Sequence, residues 1–131
     1  MKAVAIILIV LLLAALWSAC SREHPEKIAA QAAKECYDLL LDGKYDEFIA
    51  RKANTDSIPA SYREQLVANM KMFADQMQQE HHGMKEVRIV NCTADTARHS
   101  ANVFLVICFG DSTIEETVVP MVENQGRWLM K

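Results

Sequence analysis

Apolar and polar positions follow three rhythms along the chain. From Ala3 to Trp17 no polar residue interrupts the run. From Pro25 to about His81 apolar residues recur every three or four positions, the period of helices with one buried stripe. From Met84 to Lys131 they recur at every second position, the period of strands.

The helical half divides into three. Pro25 suits a first helical position, and Ile28, Ala32, Cys36, Leu39 and Leu40 form one face that ends before Gly43. Its alanine-rich start lets a neighbour pack close. Residues 44–51 predict a short second helix with Tyr45, Phe48 and Ile49 inward, followed by a polar loop over 53–58. A third helix starts at Pro59, or at Ser61 with Glu64 as a capping box. Its stripe is Tyr62, Leu66, Met70, Phe73 and Met77, and Gly83 closes it. About 20 residues of helix reach roughly 30 Å, enough to cross a small sheet.

Strands are predicted over 85–93, 97–109, 113–123 and 127–131, all rich in Val, Ile, Thr and aromatic residues. The short links at 94–96, 110–112 and 124–126 can join only antiparallel neighbours. The second strand, apolar on both faces from Val103 to Phe109, is central, and Pro120 belongs at a bulge or an edge. The fold class is therefore α+β, with three N-terminal helices packed on a four-stranded antiparallel meander and no strand between the second and third helices.

The segments LLLDGKYDEF (39–48), YREQLVANMKMF (62–73) and GRWLMK (126–131) carry a resemblance to the nuclear-transport-factor-2-like superfamily, the cystatin-like cone, over Pro25 to Lys131. More narrowly, the chain is similar to small Gram-negative lipoproteins with such a domain of unknown function. The resemblance implies a long helix covering a concave sheet face, over a pocket that enzymes, ligand binders and dimer scaffolds all use. A shared fold does not fix function.

Lys2 precedes the apolar run, and Ser18, Ala19 and Cys20 follow it with no charge until Arg22. This is the pattern of a cleaved export signal rather than of a span, which needs about 20 apolar residues. Cys20 resembles the acylated cysteine of bacterial lipoproteins, although Trp17 stands where that pattern usually has an aliphatic residue. The expected organisation is a lipoprotein signal peptide at 1–19, a lipidated tether at 20–24 and one domain at 25–131. The protein would then be exported and held to the bacterial cell envelope, with the lipid bilayer as a partner through Cys20.

The formal net charge of −3 becomes one unit more negative without Lys2, and no segment clusters Lys and Arg. Nucleic acid is rejected as a partner. Cys36, Cys92 and Cys108 remain, without CxxC or metal-ligand spacing, and read as three buried thiols; one disulfide stays open.

Candidate chemistry depends on strand register. A three-residue last link with Gly126 at positive φ puts Val118, Val122, Trp128 and Met130 on one face. A two-residue turn at Gly110 and Asp111 adds Val103, Leu105, Ile107, Ile114 and Glu116 to it. The candidate pocket is thus Glu116, Trp128, Leu105, Val118 and Met130. Glu116 there could serve as the general base of a ketosteroid-isomerase-like enzyme, but a one-residue slip exposes Glu116 and buries Thr117 instead. That chemistry also needs an acidic donor, and no Tyr lies in a strand. His81 and His82 beside Met77 and Met84 read as helix-end histidines and core methionines rather than a metal cluster. The triplets beginning at Asp56, Asp95 and Asp111 resemble acceptors of bacterial protein O-glycosylation, which makes Ser57, Thr96 and Ser112 candidate glycan sites. Turn chemistry accounts for the same triplets. The other face, taken as Phe104, Val106, Cys108, Val119 and Met121, is more apolar than a solvated sheet and points to an interface.

The expectation is a non-enzymatic, membrane-anchored binding domain without cofactor or metal. Its candidate partners are an apolar small molecule, an envelope protein or a second copy as a homodimer scaffold.

Overall fold

The computed structural model describes residues 24–131; the expected signal peptide and the expected lipidation at Cys20 lie outside them. Helix α1 (Pro25–Leu41), helix α2 (Tyr45–Ala50), a 3₁₀ turn (Thr55–Ser57) and helix α3 (Ala60–His81) precede four strands. These are β1 (Met84–Asp95), β2 (Ser100–Phe109), β3 (Ile114–Asn124) and β4 (Arg127–Met130). All neighbours are antiparallel in the order β1-β2-β3-β4, the predicted meander.

Helix α1 is the main cover of the sheet, lying against β1, β2 and β4. Ala29, Ala30, Ala33, Cys36 and Leu40 are its buried face, so the predicted stripe is rotated and Ile28 is exposed. Small residues bring the α1 backbone close to the strands. Helix α2 buries Phe48 and Ile49, and the Phe48 ring meets Tyr37 edge-on at 5.7 Å. The segment after α2 was expected to be loop alone. It instead adds a parallel bridge, with Met130 donating its N–H to Arg51 and Ala53 donating to Met130. Thr55, buried, donates its hydroxyl to the Lys52 and Ile49 carbonyls and anchors this stretch.

Helix α3 differs most from expectation. Of its stripe only Met77 is buried; Leu66, Met70 and Phe73 are half-buried and Tyr62 is exposed. Its N-cap is Pro59, with no side-chain cap, so the Ser61–Glu64 box is not formed. His82 and Gly83, both at positive φ, end it, with Gly83 N–H bonded to the Met77 carbonyl.

Register corrects the predicted faces. Phe109 donates to the Thr113 carbonyl across a three-residue turn whose last member, Ser112, has φ 70°. The odd positions of β2 therefore share a face with the odd positions of β3. Gln125 and Gly126, both at positive φ, form a two-residue turn between Asn124 and Arg127, which joins Trp128 and Met130 to Met121. The core face thus holds Val103, Leu105, Ile107, Val119, Met121 and Met130. Val119 and Met121, expected outside with Phe104, are fully inside. Pro120 sits where its absent donor costs nothing: its carbonyl accepts from Lys131, just beyond the end of the short β4.

Candidate functional site

The candidate pocket residues divide between two faces. Leu105 and Met130 are buried on the core face, with Trp128 half-buried against the same core. Glu116 and Val118 lie on the opposite, outer face, both exposed. The reason is turn length: an odd turn between β2 and β3 and an even one between β3 and β4 invert the assumed parity. Glu116 therefore cannot act in a pocket with Trp128.

A hollow does open on the concave side, with Glu115 and Thr117 in place of Glu116 and Val118. It is a half-open hollow of about 220 Å³ between α1, α2, α3 and the sheet. Leu40, Phe48, Met70, Phe73 and Ile107 are its apolar wall; Tyr37, Thr117 and Glu115 are its polar side. It exists because α3 stands partly off the sheet, its Phe73 and Met70 only half-buried. Burial pushes the Tyr37 phenol above its usual range, partly offset by the neighbouring Thr117 hydroxyl, so Tyr37 is a neutral donor at physiological pH. The absence of a donor among the strands is thus met from a helix. Reading strands alone misses it; the signal was Tyr37 one turn before Leu40 on the inner side of α1.

A second hollow, of about 470 Å³, lies on the outer face around Val90, Phe104, Glu116 and Val118. Here Phe104, Val106 and Cys108 are half-buried on the central strand, flanked by exposed Val90, Ile114 and Val118.

The helix-end histidines separate. His81 Nδ1 lies 2.8 Å from the Asp111 carboxylate, whereas His82 is exposed. No group of three metal-ligating side chains exists among the described residues. Cys36 is buried, Cys92 and Cys108 only half-buried, and none of the three is bonded to another. Ser57, at the end of the 3₁₀ turn, and Thr96 and Ser112, in turns between strands, are all exposed. Ser57 donates its hydroxyl to the Asn54 carbonyl, the turn role that the triplets also fit. No described helix is long and apolar enough to cross a membrane.

No protein-family model matches the chain. No curated protein matches it either. Among solved structures, it is similar to a Campylobacter jejuni protein described as a "Putative NTF2-like transpeptidase". The two share 15% identity and a TM-score of 0.61 over 75% of this chain and 92% of that one. At that identity the likeness is one of fold, and it places three helices on a four-stranded antiparallel sheet in the nuclear-transport-factor-2-like arrangement.

Proposed function

We propose that this protein is an exported, lipid-anchored, non-catalytic domain that binds a small apolar molecule in the concave hollow. The observation carrying the reading is the partial seating of α3, which leaves an apolar hollow with Tyr37 and Thr117 at one side. A dry apolar cavity of about 150 Å³ holds benzene, so 220 Å³ suits one or two fused rings or a short branched chain. Glu115 at the polar side opposes an anionic head group, which favours a neutral or cationic ligand over a fatty acid. The anchor rests on the sequence from Lys2 to Cys20.

The test is a titration of the full chain, extracted in mild detergent, with 2-naphthol, a neutral bicycle carrying one hydroxyl. Saturable one-to-one binding is expected, lost in Met70→Trp, which fills the hollow, and weakened about tenfold in Tyr37→Phe. Binding that Met70→Trp leaves intact overturns the reading. Cys20→Ser should release the protein from the membrane fraction; a variant that stays there removes the lipid anchor from the proposal.

A further inference from the structure

Three aromatic rings meet at the concave hollow, one from each helix: Tyr37 of α1, Phe48 of α2 and Phe73 of α3. The Tyr37 and Phe48 rings stand at 89° to each other, so they form a corner rather than two parallel walls. The sheet supplies Glu115, which pairs in register with buried Ile107 and so belongs to the inner face. Along β3 the inner positions grade from Met121 and Val119, both buried, through half-buried Thr117 to exposed Glu115. Apolar residues end where the cover of helices ends. Glu115 forms no ion pair among the described residues, and no Lys, Arg or His lines the hollow. Burial dominates the upward push on the Tyr37 phenol, and Glu115 adds to it, so the carboxylate is within electrostatic reach of that ring.

These groups select one sign of charge. An aromatic ring face is the negative side of a quadrupole and attracts a cation within about 6 Å. A carboxylate at the rim of an apolar wall loses hydration when a ligand covers it; a cation offsets that loss, a neutral ligand does not, and an anion adds repulsion. The Tyr37 and Thr117 hydroxyls are the remaining polar side chains of the lining, too few to replace the water around a primary ammonium with its three donors. An N-alkylated cation, more weakly hydrated, gives up less on entry. Given the ligand site proposed above, on which this rests, we infer that the hollow takes a tertiary or quaternary ammonium with an aromatic or branched apolar body, its charged nitrogen beside the rings of Tyr37, Phe48 and Phe73 and facing Glu115. The net charge of −3 on the chain adds a general attraction for such a ligand.

The experiment titrates the full chain, extracted in mild detergent, with three probes of nearly one shape: phenyltrimethylammonium, 2-phenyl-2-propanol and benzenesulfonate, respectively cation, neutral and anion. Affinity should fall in that order, with the cation about tenfold ahead of the alcohol. Glu115→Lys should lower affinity for the cation about tenfold or more and raise it for the sulfonate. Phe73→Leu should weaken the cation about threefold and leave the alcohol within about twofold. Unchanged circular dichroism in each variant, and retained 2-naphthol binding in Glu115→Lys, separate a lost charge preference from a lost fold. Binding of the cation no tighter than that of the alcohol overturns the inference while leaving an apolar site in place. Cation binding that survives Met70→Trp, or that Glu115→Lys does not weaken, puts the cation elsewhere and overturns it too. If neither these probes nor 2-naphthol binds, the cation preference and the ligand site both fall.

Discussion

His81 Nδ1 lies 2.8 Å from Asp111 Oδ2, joining the last turn of α3 to the turn between β2 and β3. The same joint includes Gly110 N–H to the Gly83 carbonyl at 2.9 Å and Asp111 N–H to the His81 carbonyl at 3.0 Å. The His81 ring also packs on Phe109, with centroids 4.9 Å apart. Because α3 buries only Met77, this joint fixes its C-terminal end and with it one boundary of the concave hollow.

The joint carries an acid dependence. The Thr113 hydroxyl and His81, with the Thr113 N–H, hold the Asp111 carboxyl well down, at about 2. An unfolded Asp titrates near 3.9, so the stabilisation is complete above that value and is lost as pH falls through about 2. Asp111→Asn should remove this part of the dependence. The check is the urea midpoint from pH 5 to pH 2, where the wild type should fall more steeply than the variant; parallel curves would contradict it.

Gly110 and Gly126 should respond differently to alanine. A Cβ at Gly110 would press into the backbone carbonyl of His82, at the point where the turn meets the end of α3. At Gly126 the space is open, and only the φ of 78° penalises alanine. Gly126→Ala should cost about 1 kcal/mol. Gly110→Ala should cost about 1–3 kcal/mol and disturb the His81–Asp111 contact. Denaturant unfolding gives the costs, and the His81 ring resonances by NMR report the contact.

The seat of α1 predicts a sharp contrast along one helix. Ala33 is 0% exposed against the sheet, whereas Ile28 is 41% exposed. Ala33→Leu should destabilise by about 1–3 kcal/mol because the backbone must lift to admit the larger side chain. Ile28→Lys should stay within about 0.5 kcal/mol. Equal costs at the two positions would mean that α1 is seated through another face.

Periodicity made the three helices, four strands and meander order legible, since each signal extends over many residues. Face assignment was not, because parity depends on single turn residues. Ser112 at positive φ has no glycine to advertise it, and Gln125 joins Gly126 in a two-residue turn that reads equally well as three. Those two choices moved Glu116 out of the pocket and Val119 into the core. The partial seating of α3 was also hidden: its stripe is as regular as a buried one, and only the closeness of Ala29 and Ala33 to the strands gives α1 the better place. Tyr37 went unread as a donor because its neighbours across space, Thr117 and Glu115, lie about 80 positions away in sequence.

Cys36 offers a direct probe of that packing. It is 1% exposed on the inner face of α1, and burial pushes its thiol up to about 11, with nearby Arg51 only partly offsetting the effect. At pH 8 only about one thiol in a thousand is then ionised, and a reagent must also reach it. Cys92 is also raised by burial, but it is half-buried at the sheet edge. Timed alkylation with iodoacetamide followed by peptide mass analysis should therefore label Cys92 well before Cys36. Cys36 should react at a rate set by unfolding, rising steeply with denaturant, because its side chain is buried between the α1 backbone and the strands. If Cys36 reacts as fast as Cys92 without denaturant, α1 opens locally, and the close alanine contact is not what holds the domain together.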